Sequence, residues 1–243
     1  MAFRNALAIF LLRGLNPSSV HAVQTWQQPR GFMVSFWVDP IVATEEYPSR
    51  YAEVAAANFT TILGGFGALT ADAVEAQIAA AAALNLSVVA AGAAQPYSAN
   101  PSEALWGWQL KDEPTALDFP ALANETAALA AARPGKLRFV NLLPNYATAT
   151  QLSGDPAGVT GISYGEYVSS FVKQVRPDVL CVDHYPRFEL DDEVAGTNAT
   201  RAGYRANLEV LREQSLGAGI PFWIFFNSMP FGNHGDPTEA QIR

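Results

Sequence analysis

Cysteine is almost absent from this chain. Cys181 is the only one in 243 residues, so no internal disulfide can form and no cysteine-rich zinc site can be built. Inside the apolar run Asp178-Val179-Leu180-Cys181-Val182 it reads as a small core residue. Basic residues are also scarce: 15 Lys and Arg against 23 Asp and Glu leave a net charge of −8. Nucleic-acid binding needs cations clustered on phosphates, and this balance argues against it. An acidic membrane surface would repel such a chain. No apolar run reaches the ~20 residues that span a bilayer. Charge of either sign is low, 16% against 49% apolar residues, which is the composition of a globular chain and not a disordered one. The length suits one large domain with a substantial core.

The N-terminus has an export-like pattern. Arg4 precedes a short apolar run from Ala6 to Leu12, and Val20-His21-Ala22 resembles a small-residue cleavage site. These features predict a leader over residues 1–30, one domain over 31–243, and a secreted or endomembrane location. Asn-X-Ser/Thr sequons at Asn58, Asn85, Asn124 and Asn198 would permit glycosylation there. Asn85 immediately precedes a predicted strand and is expected to be buried.

Seven short apolar segments read as strands: 31–39, 60–63, 86–91, 105–110, 137–142, 178–182 and 222–226. Between them lie helical patterns over 51–58, 71–84, about 118–132, 163–175 and 201–214, with another opening at Thr238. Thr70 is the expected N-cap of the second helix. Strands that are apolar throughout and alternate with helices argue for parallel βαβ units buried on both faces. A doubly wound sheet would carry a Gly-rich phosphate turn after its first strand. Here that strand exits through Trp37-Val38-Asp39-Pro40, and Gly64-Gly65-Phe66-Gly67 lacks the spacing. The predicted fold is an α/β (β/α)8 TIM barrel. Its eighth strand is missing, so the barrel is expected to be truncated after strand seven. The open seam would have unpaired edges and low stability.

The centre of the pattern is Leu105-Trp106-Gly107-Trp108-Gln109-Leu110-Lys111-Asp112-Glu113-Pro114. Pro114 stops the strand, which leaves Asp112 and Glu113 at its C-terminal end. On a parallel barrel every strand exit converges on that face. The exits supply Trp37 and Asp39, Phe66, Gln95 and Tyr97, Asp112 and Glu113, Asn141 and Asn145, Asp183, His184 and Tyr185, and Asn227. Carboxylates and amides bond hydroxyls, aromatic faces stack on sugar rings, and no cationic cluster is present. Such a mouth suits a neutral polyhydroxylated ligand better than a phosphate. A catalytic metal is the weaker reading, because the adjacent Asp183 and His184 should point to opposite sides. Cleaving a glycosidic bond needs two carboxyl groups, one to protonate the leaving oxygen and one to attack or activate water. Glu113, backed by an apolar strand, is the natural acid. Asp112 cannot be its partner if the strand stays regular, so Asp183 and Asp39 are the second-carboxylate candidates. Asp39, standing before Pro40, also reads as a turn former.

The strand ending in Asp112-Glu113-Pro114 resembles the strand-four signature of (β/α)8-barrel glycoside hydrolases. The segments Phe139-Val140-Asn141-Leu142-Leu143-Pro144-Asn145-Tyr146, Val182-Asp183-His184-Tyr185-Pro186 and Pro221-Phe222-Trp223-Ile224 are similar to those of a secreted glycosidase-like group. The resemblance implies Glu113 as general acid/base, an oligo- or polysaccharide substrate and no cofactor. One departure stands out. The best-known clan of these barrels carries a nucleophilic glutamate at the end of strand seven. Here that exit reads Phe226-Asn227-Ser228-Met229, with no carboxylate, so the second carboxylate is expected to be Asp183 on strand six or a residue on the missing C-terminal part. Trp37, Asp39, Asp112, Asn141, His184, Tyr185 and Asn227 are expected to contact substrate. Two rivals stand beside this reading. One is a sugar-binding barrel without turnover. The other is a barrel lyase or isomerase, for which Lys111 is the only lysine near a strand exit.

Overall fold

The structure, a computed structural model, describes residues 26–27, 32–64, 66–94, 97–157, 161–185 and 203–225. Most of the expected leader, Gln95, Asn198, Asn227 and the helix after Thr238 lie outside the described residues. After a 3-10 turn (Thr44–Glu46) the elements are α1 (Tyr47–Ala56), β1 (Thr61–Gly64), α2 (Ala71–Ala83), β2 (Ser87–Ala91) and β3 (Leu105–Asp112). Then come α3 (Phe119–Ala132), β4 (Leu137–Asn141), α4 (Ala149–Ser153), α5 (Tyr164–Val175), β5 (Leu180–Asp183), α6 (Tyr204–Ala218) and β6 (Phe222–Phe225). All ladders are parallel, in the orders β1-β2-β3-β4 and β5-β6. A bridge between Leu142 and Val182, with the Leu142 amide 2.9 Å from the Cys181 carbonyl, joins the two. Strands consecutive in sequence are thus neighbours in space.

Local chemistry sets the helix ends. Thr70 caps α2 by accepting from the Ala73 amide. Ser163 and Glu166 form a reciprocal capping box at the start of α5. Gly219, with φ 68, ends α6 in the left-handed conformation.

Alternation along the strands makes two apolar faces. One packs under helices: Tyr51, Ile78, Val88 and Trp108 near α1 and α2, and Phe119, Val140, Phe171 and Val182 near α3 and α5. The other gathers Leu63, Val89, Leu137, Phe139, Val179 and Cys181 with Trp37, Trp223 and Phe225. The last strand returns toward the segment that precedes the first. The Trp37 ring lies 5.0 Å from that of Phe225, and Trp26 lies 5.9 Å from Trp223. The sheet is therefore strongly curled around this inner cluster.

The structure corrects several sequence expectations. Six parallel strands are present among the described residues, against seven predicted. The described part of 31–39 is not a strand. The Val34 carbonyl takes the amides of both Thr60 and Thr61, at 3.0 and 3.2 Å, while its own amide bonds Thr60 Oγ1 at 2.9 Å. A carbonyl shared by two successive amides cannot start a ladder. The strand expected over 178–182 begins only at Leu180, because Asp178 is bound by Arg138. Asp178 Oδ2 accepts from the Arg138 amide at 3.0 Å and from Nε at 2.8 Å, and Nη2 lies 2.5 Å from Oδ1. Asn85 is exposed in a left-handed turn, φ 57, and not buried.

Gly107 stands where β3 passes β4. A Cβ there would fall on the Leu137 carbonyl, a backbone atom that cannot swing aside. Gly107→Ala should push the two strands apart and cost about 2 kcal/mol or more. A lowered urea midpoint checks this; an unchanged one contradicts so close an approach.

Candidate active site

The inner row of side chains turns polar at its C-terminal end. On β4 the buried sequence Leu137, Phe139 is followed by Asn141, and on β5 Cys181 is followed by Asp183. The register pairs Asp112 of β3 with Asn141, and Asp183 with Phe225 of β6. Parallel strands bring all of these ends to one mouth.

Glu113 joins them through its backbone. A regular strand would send it away from Asp112, but Glu113 has φ 44, in the left-handed region. That conformation costs a side-chain-bearing residue about 1–2 kcal/mol and is sustained only by surrounding bonds. Two bonds bracket the turn. The Glu113 amide donates to the Asn141 carbonyl at 2.8 Å, and the Tyr167 hydroxyl on α5 donates to the Pro114 carbonyl at 2.6 Å. Tyr167 lies in an ordinary apolar helix pattern, and nothing in the sequence marks it out.

Asn141 ties the carboxyls together. Its Nδ2 donates to Asp112 Oδ1 at 3.0 Å, and the same amide stands where it favours the ionised form of Asp183. Asn141, expected to contact substrate, is fully buried beneath the mouth. Asp183 is partly buried. Burial pushes its carboxyl up to about 7, the Glu113 charge adds to the rise, and the Asn141 amide opposes it. Asp112 and Glu113 also sit above the ordinary carboxylate range, chiefly through loss of solvent, with the Asp112 charge adding at Glu113. Both are exposed on the rim, where water screens most of that effect.

The other predicted residues divide. Trp37 packs edge-on against Phe66 and Phe225, at 5.6 and 5.0 Å, and through Phe225 stands one strand from Asp183. Tyr185 is partly buried beside Asp183; burial, then the Asp183 and Tyr146 charges, raise its phenol pKa. His184 is a correction. It is fully buried, with Nδ1 3.3 Å from Asn207 Oδ1 and its ring between Tyr146 and Tyr204, each 5.1 Å away. It packs behind Asp183 instead of lining the mouth. Asp39 is another correction. It is buried and accepts from the amides of Phe66 and Gly67, at 3.2 and 2.8 Å, and from Gln77 Nε2 at 3.2 Å. Its carboxylate braces the β1 exit. Lys111 is committed to Asp118 at 3.0 Å. No His, Cys, Asp and Glu group suited to a metal occurs among the described residues. A 570 Å³ cavity lined by Trp26, Arg138, Arg176, Asp178 and Pro221 lies at the opposite end of the strands, away from the carboxyls.

Fold and site define a mixed α/β protein with a curled parallel sheet and a carboxyl-lined mouth. No protein-family model matches the chain, and no curated protein matches it in sequence. Among solved structures it is similar to a Bacteroides thetaiotaomicron protein provisionally assigned as an alpha-L-fucosidase. Identity is 8%, with 83% of this chain and 72% of that one covered and a TM-score of 0.47. So distant a likeness leaves the activity to be argued from the residues.

Two outcomes follow from these placements. Asp39→Ala would orphan two amides and lower stability by about 2 kcal/mol, read as a urea-midpoint shift. Asp183 ionises less readily folded than unfolded, where its pKa is near 3.8. Its contribution to stability is therefore full below about pH 4 and is lost as pH rises toward 7. Asp183→Asn should flatten this decline, and above pH 7 it should melt higher than the parent; parallel melting curves against pH would contradict the burial.

Proposed function

We propose that this chain is a glycoside hydrolase on a (β/α)8 barrel, acting on a neutral oligo- or polysaccharide with Glu113 and Asp183 as its working carboxyl groups. The observation that carries the reading is their convergence, in unequal surroundings, at the C-terminal mouth of a curled parallel sheet. Two carboxyls with different proton affinities are what glycosidic cleavage requires. The barrel is supported by strands that pair in sequence order and by the contact between Trp37 and Phe225. Neutral substrate is supported by the ion pairs, none of which brings a described Lys or Arg to the mouth. Trp37 and Tyr185 would stack on or bond the sugar. Hydrolysis by two carboxyls calls for no cofactor. The leader-like pattern over residues 1–30 supports a secreted or endomembrane location.

The test is turnover of a panel of aryl α- and β-glycosides. Glu113→Gln should lower kcat/KM by about 10²–10⁴-fold on any substrate the parent cleaves. Equal turnover in the variant would remove Glu113 from the mechanism. Sugar affinity by calorimetry with no hydrolysis of any substrate would make the chain a binding barrel instead.

A further inference from the structure

Three carboxyl groups, Asp112, Glu113 and Asp183, share one mouth. The described ion pairs are Arg50–Glu53, Lys111–Asp118 and Arg138–Asp178, so no described Lys or Arg pairs with any of the three. Among the described residues the three like charges have no counter-charge, and the proton settles where charge is costliest. The three places are not equivalent. Glu113 is open to water, and Asp112 is exposed and holds the Asn141 amide. Asp183 continues the inner row above Cys181, beside Phe225, and its Oδ1 is enclosed without a hydrogen bond. Among the described residues, the titratable groups that act on it are Asp112 and Glu113 from β3, Cys181 from its own strand, Tyr185 just beyond it and Tyr164 from α5. None is a cation. His184, the next residue, is turned to Asn207.

On the hydrolase reading above, we infer that Asp183, not Glu113, is the catalytic acid, and that Glu113 is the ionised carboxylate that meets the sugar. Asp183 passes its proton to the glycosidic oxygen as the C1–O bond breaks. The electron pair of that bond leaves with the oxygen, which departs as an alcohol. Glu113 answers the positive charge growing on the ring, by bonding C1 or by deprotonating the water that does. Water finally supplies hydroxide to C1 and one proton, which restores the carboxyl pair. The displacement of the Asp183 carboxyl toward neutral pH agrees with this division of labour.

Two readouts test it. The first is a carboxyl-carbon NMR titration of the parent, Asp183→Asn and Glu113→Gln, which needs no substrate. The highest-titrating carboxyl of the mouth should correlate with aspartate β-protons, vanish in Asp183→Asn, and move down in Glu113→Gln as a neighbouring charge is removed. A glutamate signal in that place overturns the inference, and the parent spectrum decides this even if a variant fails to fold. The second readout is dependence on the leaving group. Asp183→Asn should lose about 10²–10⁴-fold on alkyl glycosides, whose alcohols need a proton, but far less on dinitrophenyl glycosides. Glu113→Gln should lose on both. The reverse pattern overturns the inference and leaves the hydrolase reading standing. The expected titration in a parent that cleaves nothing overturns the hydrolase reading, and the donor role with it.

Discussion

Everything in the mouth is referred to Asn141. Its carbonyl holds the Glu113 amide, its side-chain amide donates to Asp112, and that amide also favours the ionised form of Asp183. One buried residue thus fixes a backbone reversal and holds the Asp112 carboxylate. It can do so because it follows Leu137 and Phe139 on the inner face of β4, where neighbouring strands clamp it. A surface amide would lose most of this hold to competing water.

The scaffold beneath explains why the geometry is rigid. Strand register brings Asp112 level with Asn141, and the bridge at Leu142 carries that level on to β5. Gly107 lets β3 and β4 approach closely. At the other end of the strands, Arg138 and Asp178 form a buried pair in which Asp178 also bonds the Arg138 amide. The polar groups there are satisfied by one another, as befits the end of a parallel sheet that serves stability.

Much of the fold was legible because its signals are local. Apolar runs located the strands from β1 to β6, Thr70 and Ser163 marked helix starts, and the exit of β3 pointed to Asp112 and Glu113. What escaped depends on partners distant in sequence. Asp39 reads as a strand exit, but its acceptors are consumed by amides near Phe66 and by Gln77. Asp178 reads as the start of a strand, but Arg138 takes it. The left-handed turn at Glu113 goes against the usual preference of a side-chain-bearing residue, and only tertiary bonds from Asn141 and Tyr167 sustain it. His184 and Asn141 were legible as polar positions but not as buried ones, since Tyr146, Tyr204 and Asn207 pack around His184 and the neighbouring strands enclose Asn141.

The meeting of Trp37 with Phe225 also has a kinetic meaning. These rings come from nearly opposite ends of the described chain, so their contact closes a very long loop, and such contacts form late. While a ribosome has delivered only the first four strands, the inner aromatic face has no cover. A chaperone that shields indole and phenyl surface during synthesis would find its binding site here, and would lose it when β6 docks.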